Sequence, residues 1–459
     1  MPSTPPLLLV TNRGPLVVER ASGRLAQAGG GVASGFLGLV THERSSATGA
    51  EALPETRWCF PISSPEELAA FGRGAYEEYN PRLRPIPVDP RDHQLAYQRI
   101  ANEFLWYLVH GLFDAAFEPL YDQGFYDALE GYRRFNEAIA SAIEQEVASD
   151  EIVLVNDYHL LLVPGLLRRG GYSGRIGLFL HTPWATEDEW RVVPTPLARE
   201  IATSVASADL IGVHAARWAG RLLATFAPHL DPGRIVVAPL PLDPARLRAD
   251  AATPEVAEER ARLEALTDGL PTIGRVDRLE PSKNLLRGVL AVDALLTQEP
   301  SLRGGFRALV CSYPSREGLH KYAAIRPALE ELVAATNARW RQPGWEPIHL
   351  EITDRPFRSL ALYQLLQVGL INPLRDGLNL VALEASLLAR EGAGIVLSSE
   401  AGVAEHIGHA VELVAPFDVR ATADALARAL AGGNLAPVRD WIETNTWSTW
   451  IRSLLGALE

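Results

Sequence analysis

Glu151-Ile-Val-Leu-Val-Asn156-Asp157-Tyr-His159 runs into Leu160-Leu-Leu-Val-Pro-Gly-Leu-Leu-Arg-Arg169, and after a glycine-rich turn the chain continues as Ile176-Gly-Leu-Phe-Leu180-His181-Thr-Pro-Trp184. After the leading Glu151, each of the two short runs is apolar along its whole length. A strand that does not alternate is buried on both faces, as happens in a parallel sheet covered by helices. The segment between the runs has helical period, so the stretch reads as strand, helix, strand. Both strands stop at polar residues, Asn156-Asp157 and His181-Thr182, and ligands of open parallel sheets bind beyond such carboxyl ends.

The same pattern extends outward in both directions. Apolar runs recur at Leu7–Val10, Leu210–Val213, Ile235–Ala238, Thr272–Gly274, Ala308–Cys311, His349–Ile352, Val368–Ile371 and Gly394–Leu397, each followed by a turn and a helical segment. The class is α/β, doubly wound. These strands are too many for one comfortable sheet, and the connector Pro239-Leu-Pro-Leu-Asp-Pro244 falls near the middle of the chain. The sequence predicts two Rossmann-like domains, 1–240 and 241–440. Helices are expected at Phe125–Ala148, Thr253–Leu266 and Pro327–Arg341. An amphipathic C-terminal helix with Trp447 and Trp450, in 441–459, is expected to pack back on the first domain.

Composition narrows the class of function. The 459 residues carry a net charge of −13, which argues against a nucleic acid or an anionic membrane as the main partner, so any basic site must be local. Cys59 and Cys311 alone make neither a disulfide framework nor a zinc pattern. The first residues lack the features of a signal peptide, and no apolar run reaches the ~18 residues of a membrane helix. A cytoplasmic protein is expected. Of the 43 basic residues only Lys283 and Lys321 are lysine, which singles out Lys283 for attention.

Residues that follow the apolar runs are the candidates for chemistry. In the first half they are Thr11-Asn12-Arg13-Gly14, Asn156-Asp157-Tyr158-His159 and His181-Thr182-Pro183-Trp184, with a glycine segment, Gly29-Gly30-Gly31-Val-Ala-Ser-Gly35, that could let backbone amides approach a phosphate or a sugar. In the second half Arg278 and Lys283 stand five residues apart after a strand, a spacing able to clamp a diphosphate. Further on, Asn372-Pro-Leu-Arg375-Asp376-Gly377-Leu-Asn379-Leu-Val-Ala-Leu-Glu384 gives a tight turn, a helix start suited to phosphate, and a carboxylate placed to take the hydroxyls of a ribose. Phosphate and ribose together describe a sugar nucleotide.

With Tyr97-Gln-Arg-Ile-Ala-Asn102-Glu-Phe-Leu-Trp106 and Ser315-Arg316-Glu-Gly added, these motifs resemble the trehalose-6-phosphate synthases, retaining glycosyltransferases of the two-domain GT-B fold, along almost the whole chain. The resemblance implies an active site in the cleft between the domains and transfer of glucose from a nucleoside diphosphate to glucose 6-phosphate. It implies that Arg278 and Lys283 bind the donor diphosphate and stabilise it as it leaves, and that Glu384 holds the ribose. Asp376, Gly377, Leu378, Asn379, Leu380 and Val381 would surround the transferred sugar and diphosphate, and Gly30 and Gly31 would close over the donor. Asp157 and His181 would grip sugar hydroxyls at the reaction centre. Arg13, Tyr97, Trp106 and Arg316 would hold the acceptor's 6-phosphate. No metal and no cofactor are implied beyond the nucleotide sugar, because two cations take the place of a divalent ion. The segment Arg57-Trp58-Cys-Phe-Pro matches a tryptophan motif of the family only loosely. His181-Thr-Pro-Trp184 with Trp190 is also similar to the pseudo-glycosyltransferases, which couple a cyclitol to an aminocyclitol phosphate. A sugar-phosphate sensor without catalysis is the reading from another class, and a homo-oligomer is left open.

Overall fold

Strand order is what places the candidate residues. The computed structural model describes residues 5–19, 24–27, 31–41, 54–148, 151–316, 318–355 and 357–458. The chain divides into two compact units, Met1–Leu240 with Trp447–Glu459, and Pro241–Thr446.

The first unit carries β1 (Leu7–Val10), an antiparallel hairpin of β2 (Leu16–Val18) and β3 (Leu25–Gln27), then β4 (Thr56–Ile62), β5 (Leu83–Pro87), β6 (Ile152–Asn156), β7 (Ile176–Leu180), β8 (Leu210–Val213) and β9 (Ile235–Val237). Its seven-stranded sheet runs β5-β4-β1-β6-β7-β8-β9, parallel throughout. All the residues of β1, β6, β7 and β8 are buried, as continuous apolar strands covered on both faces must be. The order reverses between β1 and β6, and such a reversal is where ligands bind in doubly wound sheets.

The second unit repeats the plan with β10 (Thr272–Arg278), β11 (Arg307–Tyr313), β12 (Ile348–Ile352), β13 (Leu366–Ile371), β14 (Gly394–Ser398) and β15 (Glu412–Val414), ordered β12-β11-β10-β13-β14-β15. Here the reversal lies between β10 and β13. Its core gathers Ile273, Val289, Leu295, Phe306, Leu329, Val368, Val396 and Leu426, from strands and from the helices on either side. Two Rossmann-like sheets are present, and the doubly wound class holds.

Beyond the strands expected from sequence the structure has the β2–β3 hairpin, β4, β5 and β15. In β4 the charge of Arg57 breaks the apolar run, and the structure neutralises it with Glu151 and Glu146. In β5 Pro85 and Pro87 argue against a strand, yet β5 is the edge of its sheet, where proline is tolerated and blocks further pairing.

The end of the chain forms two helices, Ala436–Thr444 and Trp447–Leu455. The second belongs to the first unit. Trp450 is 1% exposed, donates its indole N–H to the Ala238 carbonyl at 3.2 Å, and packs on Phe36 and Phe179 with ring centroids 6.0 and 5.2 Å away. Removing so large a buried ring leaves a cavity, so Trp450→Ala should destabilise the fold by about 3–5 kcal/mol. Denaturant unfolding measures this; a loss below about 1 kcal/mol would show that the helix contributes little to the first unit.

Candidate functional site

In the second unit, the loops that follow β10 and β13 are bound to each other across the reversal of strand order. Arg275 and Asp277 project from the same face of β10 and pair at 2.9 Å, both buried. The Arg275 guanidinium also donates to the Asn372 side chain and to the Lys283 carbonyl. Gly288 lets the following helix lie against that guanidinium, since a Cβ there would collide with Nη1 of Arg275. Asn284, at φ 60, donates to the carbonyls of Asn372 (2.9 Å) and Pro416 (2.6 Å), and the Leu374 amide donates to the Ser282 carbonyl (2.8 Å).

That scaffold places Lys283 Nζ 2.7 Å from Asp376 Oδ2, which also accepts from Asn379 Nδ2 at 3.1 Å. Burial disfavours the ammonium, but Asp376 and Asp277 outweigh it and raise the Lys283 pKa. Lys283 is therefore a fixed cation. Arg278 stands half-exposed at the strand end, 3.1 Å from Glu280 Oε1. Glu280 is 1% exposed and accepts from Ser315 Oγ at 2.9 Å. Burial alone would raise its pKa, yet Arg278, Arg316 and Lys283 pull it below the usual carboxylate range. Arg316, at φ 45, donates to the Tyr322 hydroxyl at 2.8 Å.

Asn379, at φ 81, caps the helix Leu380–Leu388 by accepting from the Ala382 amide at 3.0 Å. The first amides of that helix have no partner within it, and its dipole favours an anion. Gly377 is buried in the turn before it. The Leu378 side chain is buried too and its carbonyl accepts from Val403, so no more than its backbone N–H remains to offer a ligand. Leu380 and Val381 are partly exposed at the helix start. Glu384 lies on the same helix and accepts from the Tyr363 hydroxyl at 3.3 Å; burial lifts its carboxyl to about 7 despite that bond.

In the first unit, Thr11 ends β1 as a relay: Trp58 Nε1 donates to its hydroxyl at 2.7 Å, and the hydroxyl donates to the Arg13 carbonyl at 2.7 Å. Trp58, loosely matched to the family's tryptophan motif, is thus a fully buried strand residue. Gly14 follows because a Cβ would collide with the Phe60 ring. Arg13 is exposed. Gly30 lies outside the described residues, and Gly31 opens the helix Gly31–Thr41.

Asp157 follows β6 with φ 75 and ψ 167, a conformation costly for a residue with a Cβ and of the kind that concentrates at functional sites. Its amide donates to the Phe179 carbonyl at 2.7 Å, and its Oδ1 accepts from the His181 amide at 3.3 Å. His181 is held at both ring nitrogens, Nε2 by Asn156 Oδ1 (3.0 Å) and Nδ1 by His214 Nε2 (3.3 Å). Burial, with His214 beside it, keeps its pKa well below the ordinary value, so the ring is neutral.

Tyr97 and Trp106 come to the same turn. Tyr97 lies in a π-helix, Leu95–Leu105, a form enriched at functional sites. Asn102 Nδ2 donates to the Tyr97 carbonyl at 2.7 Å and Asn102 Oδ1 accepts from the Tyr158 hydroxyl at 3.0 Å, which ties that helix to the residue after Asp157. Tyr97 stacks on His159 and Trp106 packs on Tyr158, with centroids 5.7 and 5.9 Å apart. Trp184 and Trp190 stack on each other in the core, 5.3 Å apart, and Trp184 is 1% exposed. Two further residues belong to these sites, Glu280 and His214. His214 follows β8 directly, so inspecting the end of that run would have found it.

Among the described residues no three His, Cys, Asp or Glu side chains converge as a metal-ligand set, and no helix is long and apolar enough to cross a membrane.

Comparison with known proteins places the chain in a family. The family model for glycosyltransferase family 20 matches residues 63–459. The bifunctional trehalose-6-phosphate synthase/phosphatase of Thermoproteus tenax is 30% identical over 93% of the chain, which spans 58% of that relative's length. An E. coli trehalose-6-phosphate structure bound with UDP-2-fluoro glucose superimposes with a TM-score of 0.80 at 25% identity, covering 98% of each chain. The α,α-trehalose-phosphate synthase (UDP-forming) of Burkholderia xenovorans in complex with glucose-6-phosphate does so with 0.79 at 26% identity, covering 99% of each. The chain is a GT-B glycosyltransferase and belongs to glycosyltransferase family 20, the family of the trehalose-6-phosphate synthases.

Proposed function

We propose that this enzyme moves glucose from UDP-glucose to the anomeric hydroxyl of glucose 6-phosphate with retention, forming α,α-trehalose 6-phosphate. The observation that carries the proposal is the Lys283–Asp376 pair at 2.7 Å, bridging the ends of β10 and β13 beside a helix N-terminus. The relatives solved with a UDP-glucose analogue and with glucose-6-phosphate support it.

The problem the site must solve is charge. As the glycosidic bond breaks, the diphosphate gains negative charge and the sugar becomes oxocarbenium-like. Lys283, Arg278 and the amides that open the Leu380–Leu388 helix meet the first demand, and such preorganised stabilisation is often the largest catalytic term. Asp376, Gly377, Leu378 and Asn379 line the donor's diphosphate and sugar, and Glu384 takes the ribose diol. Asp157 and the His181 segment hold sugar hydroxyls. No carboxylate is assigned as a covalent nucleophile; the leaving phosphate oxygen accepts the acceptor's proton on the same face. Arg13, Tyr97, Trp106 and Arg316 receive the 6-phosphate. Two fixed cations take the charge a divalent ion would otherwise meet, so turnover should survive exhaustive chelation. Two buried free thiols suit a reducing, cytoplasmic setting.

A panel of UDP-, GDP- and ADP-glucose, each offered with glucose 6-phosphate or an aminocyclitol phosphate, tests the reading. Turnover with glucose 6-phosphate is expected. Acceptance of the aminocyclitol phosphate alone would replace it by the pseudo-glycosyltransferase reading, and binding without turnover would leave a sensor.

The Glu384 carboxyl gives a pH signature. To accept both ribose hydroxyls it must be ionised, whereas burial leaves it half-protonated near 7 in the free enzyme. Nucleotide binding therefore expels a proton below that pH. Affinity for UDP should fall by up to about tenfold per unit as pH drops below 7 and level off above about 8. Glu384→Gln should bind more weakly and lose this slope. Calorimetric titration across the range checks both, and a slope unchanged in the variant would remove Glu384 from the ribose.

A further inference from the structure

The hydrogen bonds around His181 form one continuous chain, and its two ends dictate where every proton lies. At one end, Asn156 Nδ2 faces the carbonyls of Val10 (3.2 Å) and Leu154 (2.9 Å), so the amide cannot be turned the other way. Its Oδ1 therefore points at His181 Nε2, which must carry a proton to reach it at 3.0 Å. At the other end, the Leu240 backbone N–H faces His214 Nδ1 at 3.2 Å. That nitrogen must accept, so the His214 proton sits on Nε2 and is donated to His181 Nδ1 at 3.3 Å. Assigned separately from Val10 and from Leu240, the polarities agree at His181: Nδ1 bare, Nε2 protonated.

The chain has no room for another proton. Protonating His181 would set N–H against N–H at His214, and turning that ring's proton to Nδ1 would set it against the Leu240 amide. Among the described residues the contacts of the ring are otherwise aromatic. Phe179 packs on both rings at 4.7 and 5.0 Å, Phe36 lies 5.8 Å from His181, and the carboxylate in reach, Asp157, is engaged by the His181 backbone amide.

We propose that His214 is a positioning residue: through His181 it holds the backbone that presents Asp157 in its strained conformation. Resting on the transferase reading for its kinetic consequence, this makes the His181 imidazole a strut between the ends of β6 and β8. Besides the sugar hydroxyls assigned to its segment, His181 brings its amide's grip on Asp157, and a ring fixed in one tautomer is what keeps that amide in place. Leu240 is the last residue of the first unit and lies in the proline-rich connector Pro239–Pro244, so the chain of bonds also ties that connector to the carboxyl end of β8.

The test has a spectroscopic arm and a kinetic arm. Imidazole 15N spectra of the full-length protein at neutral pH should show His181 neutral with its proton on Nε2; an Nδ1–H tautomer or an imidazolium would overturn the proposal. His214→Gln can accept from Leu240 through Oε1 and donate to His181 through Nε2, whereas His214→Leu can do neither. The leucine variant should lose the single tautomer and drop kcat about tenfold or more, with both KM values changed less, since small misplacements of a reacting geometry are costly. The glutamine variant should restore the tautomer and most of the rate. A leucine variant with tautomer and kcat intact would contradict the assignment, as would a glutamine variant no better than leucine. If the leucine variant does not fold, the tautomers of the wild type and the glutamine variant still decide. Absence of any transfer by the wild type would reject the transferase reading while leaving the spectra to judge the chain of bonds.

Discussion

Replacing Arg278 by alanine is expected to lower kcat by about 10²–10³-fold, the usual loss when one preorganised charge stabiliser is removed, while leaving the fold nearly as stable. Its side chain is 50% exposed and pairs at 3.1 Å with the buried Glu280, but that carboxylate keeps Arg316 and Lys283 facing it, so the loss of stability should be smaller than the loss at Lys283. Glu280 retains its bond from Ser315. Lys283→Ala should cost as much in kcat and should also cost stability. Its side chain is 14% exposed and that of Asp376 17%, so the truncation strands a largely buried carboxylate. A second substitution, Asp376→Asn, should recover stability without recovering rate. Steady-state kinetics and thermal unfolding on the four proteins separate the two effects. If either single variant weakened donor binding alone, with kcat unchanged, the cation would be acting in the ground state and the assigned role would be wrong.

Selection of the acceptor should show the next largest effect. A charge-assisted contact to phosphate is worth roughly 1.5–3 kcal/mol, and Arg13 and Arg316 are each assigned one. Unphosphorylated glucose should therefore be at least about tenfold poorer than glucose 6-phosphate, a factor that needs only about 1.4 kcal/mol. Arg316→Ala should erase most of that preference and barely alter binding of UDP. Arg316→Lys should recover only part of it, because a point charge cannot reproduce a planar fork. Equal use of glucose and glucose 6-phosphate by the wild type would mean that these arginines do not hold a phosphate.

Why some of this could be read from the chain and some could not has a physical basis. Continuous runs such as Ile152–Asn156 and Ile176–Leu180 announce strands because burial on both faces demands apolar residues at every position. β4 and β5 stayed hidden because their irregular residues are compensated from far away: Arg57 by Glu146 and Glu151, and the prolines of β5 by its edge position. The π-helix of Tyr97 is equally silent, since what marks it is a backbone pattern of bonds five residues apart, as from the Trp106 amide to the Ala101 carbonyl.

Within the candidate sites, the strand-end rule singled out Asp157, His181 and Asp376, and the scarcity of lysine drew attention to Lys283. It could not reveal that His181 is pinned at both nitrogens, nor that Leu378 turns its side chain into the core. Positive φ at Asp157, Asn284, Arg316 and Asn379 was invisible too, although four such strained residues at the candidate sites are a stronger pointer than any of their identities. Glu280 carries no sequence signal of its own. Its importance comes from Arg278, Arg316 and Lys283 converging on it after folding.

The account stands most directly on the product. Purified enzyme incubated with UDP-glucose and glucose 6-phosphate in the presence of excess chelator, followed by NMR of the anomeric protons, should yield α,α-trehalose 6-phosphate and UDP. A β-linked disaccharide phosphate, release of free glucose without transfer, or activity that returns only when a divalent ion is restored would contradict it.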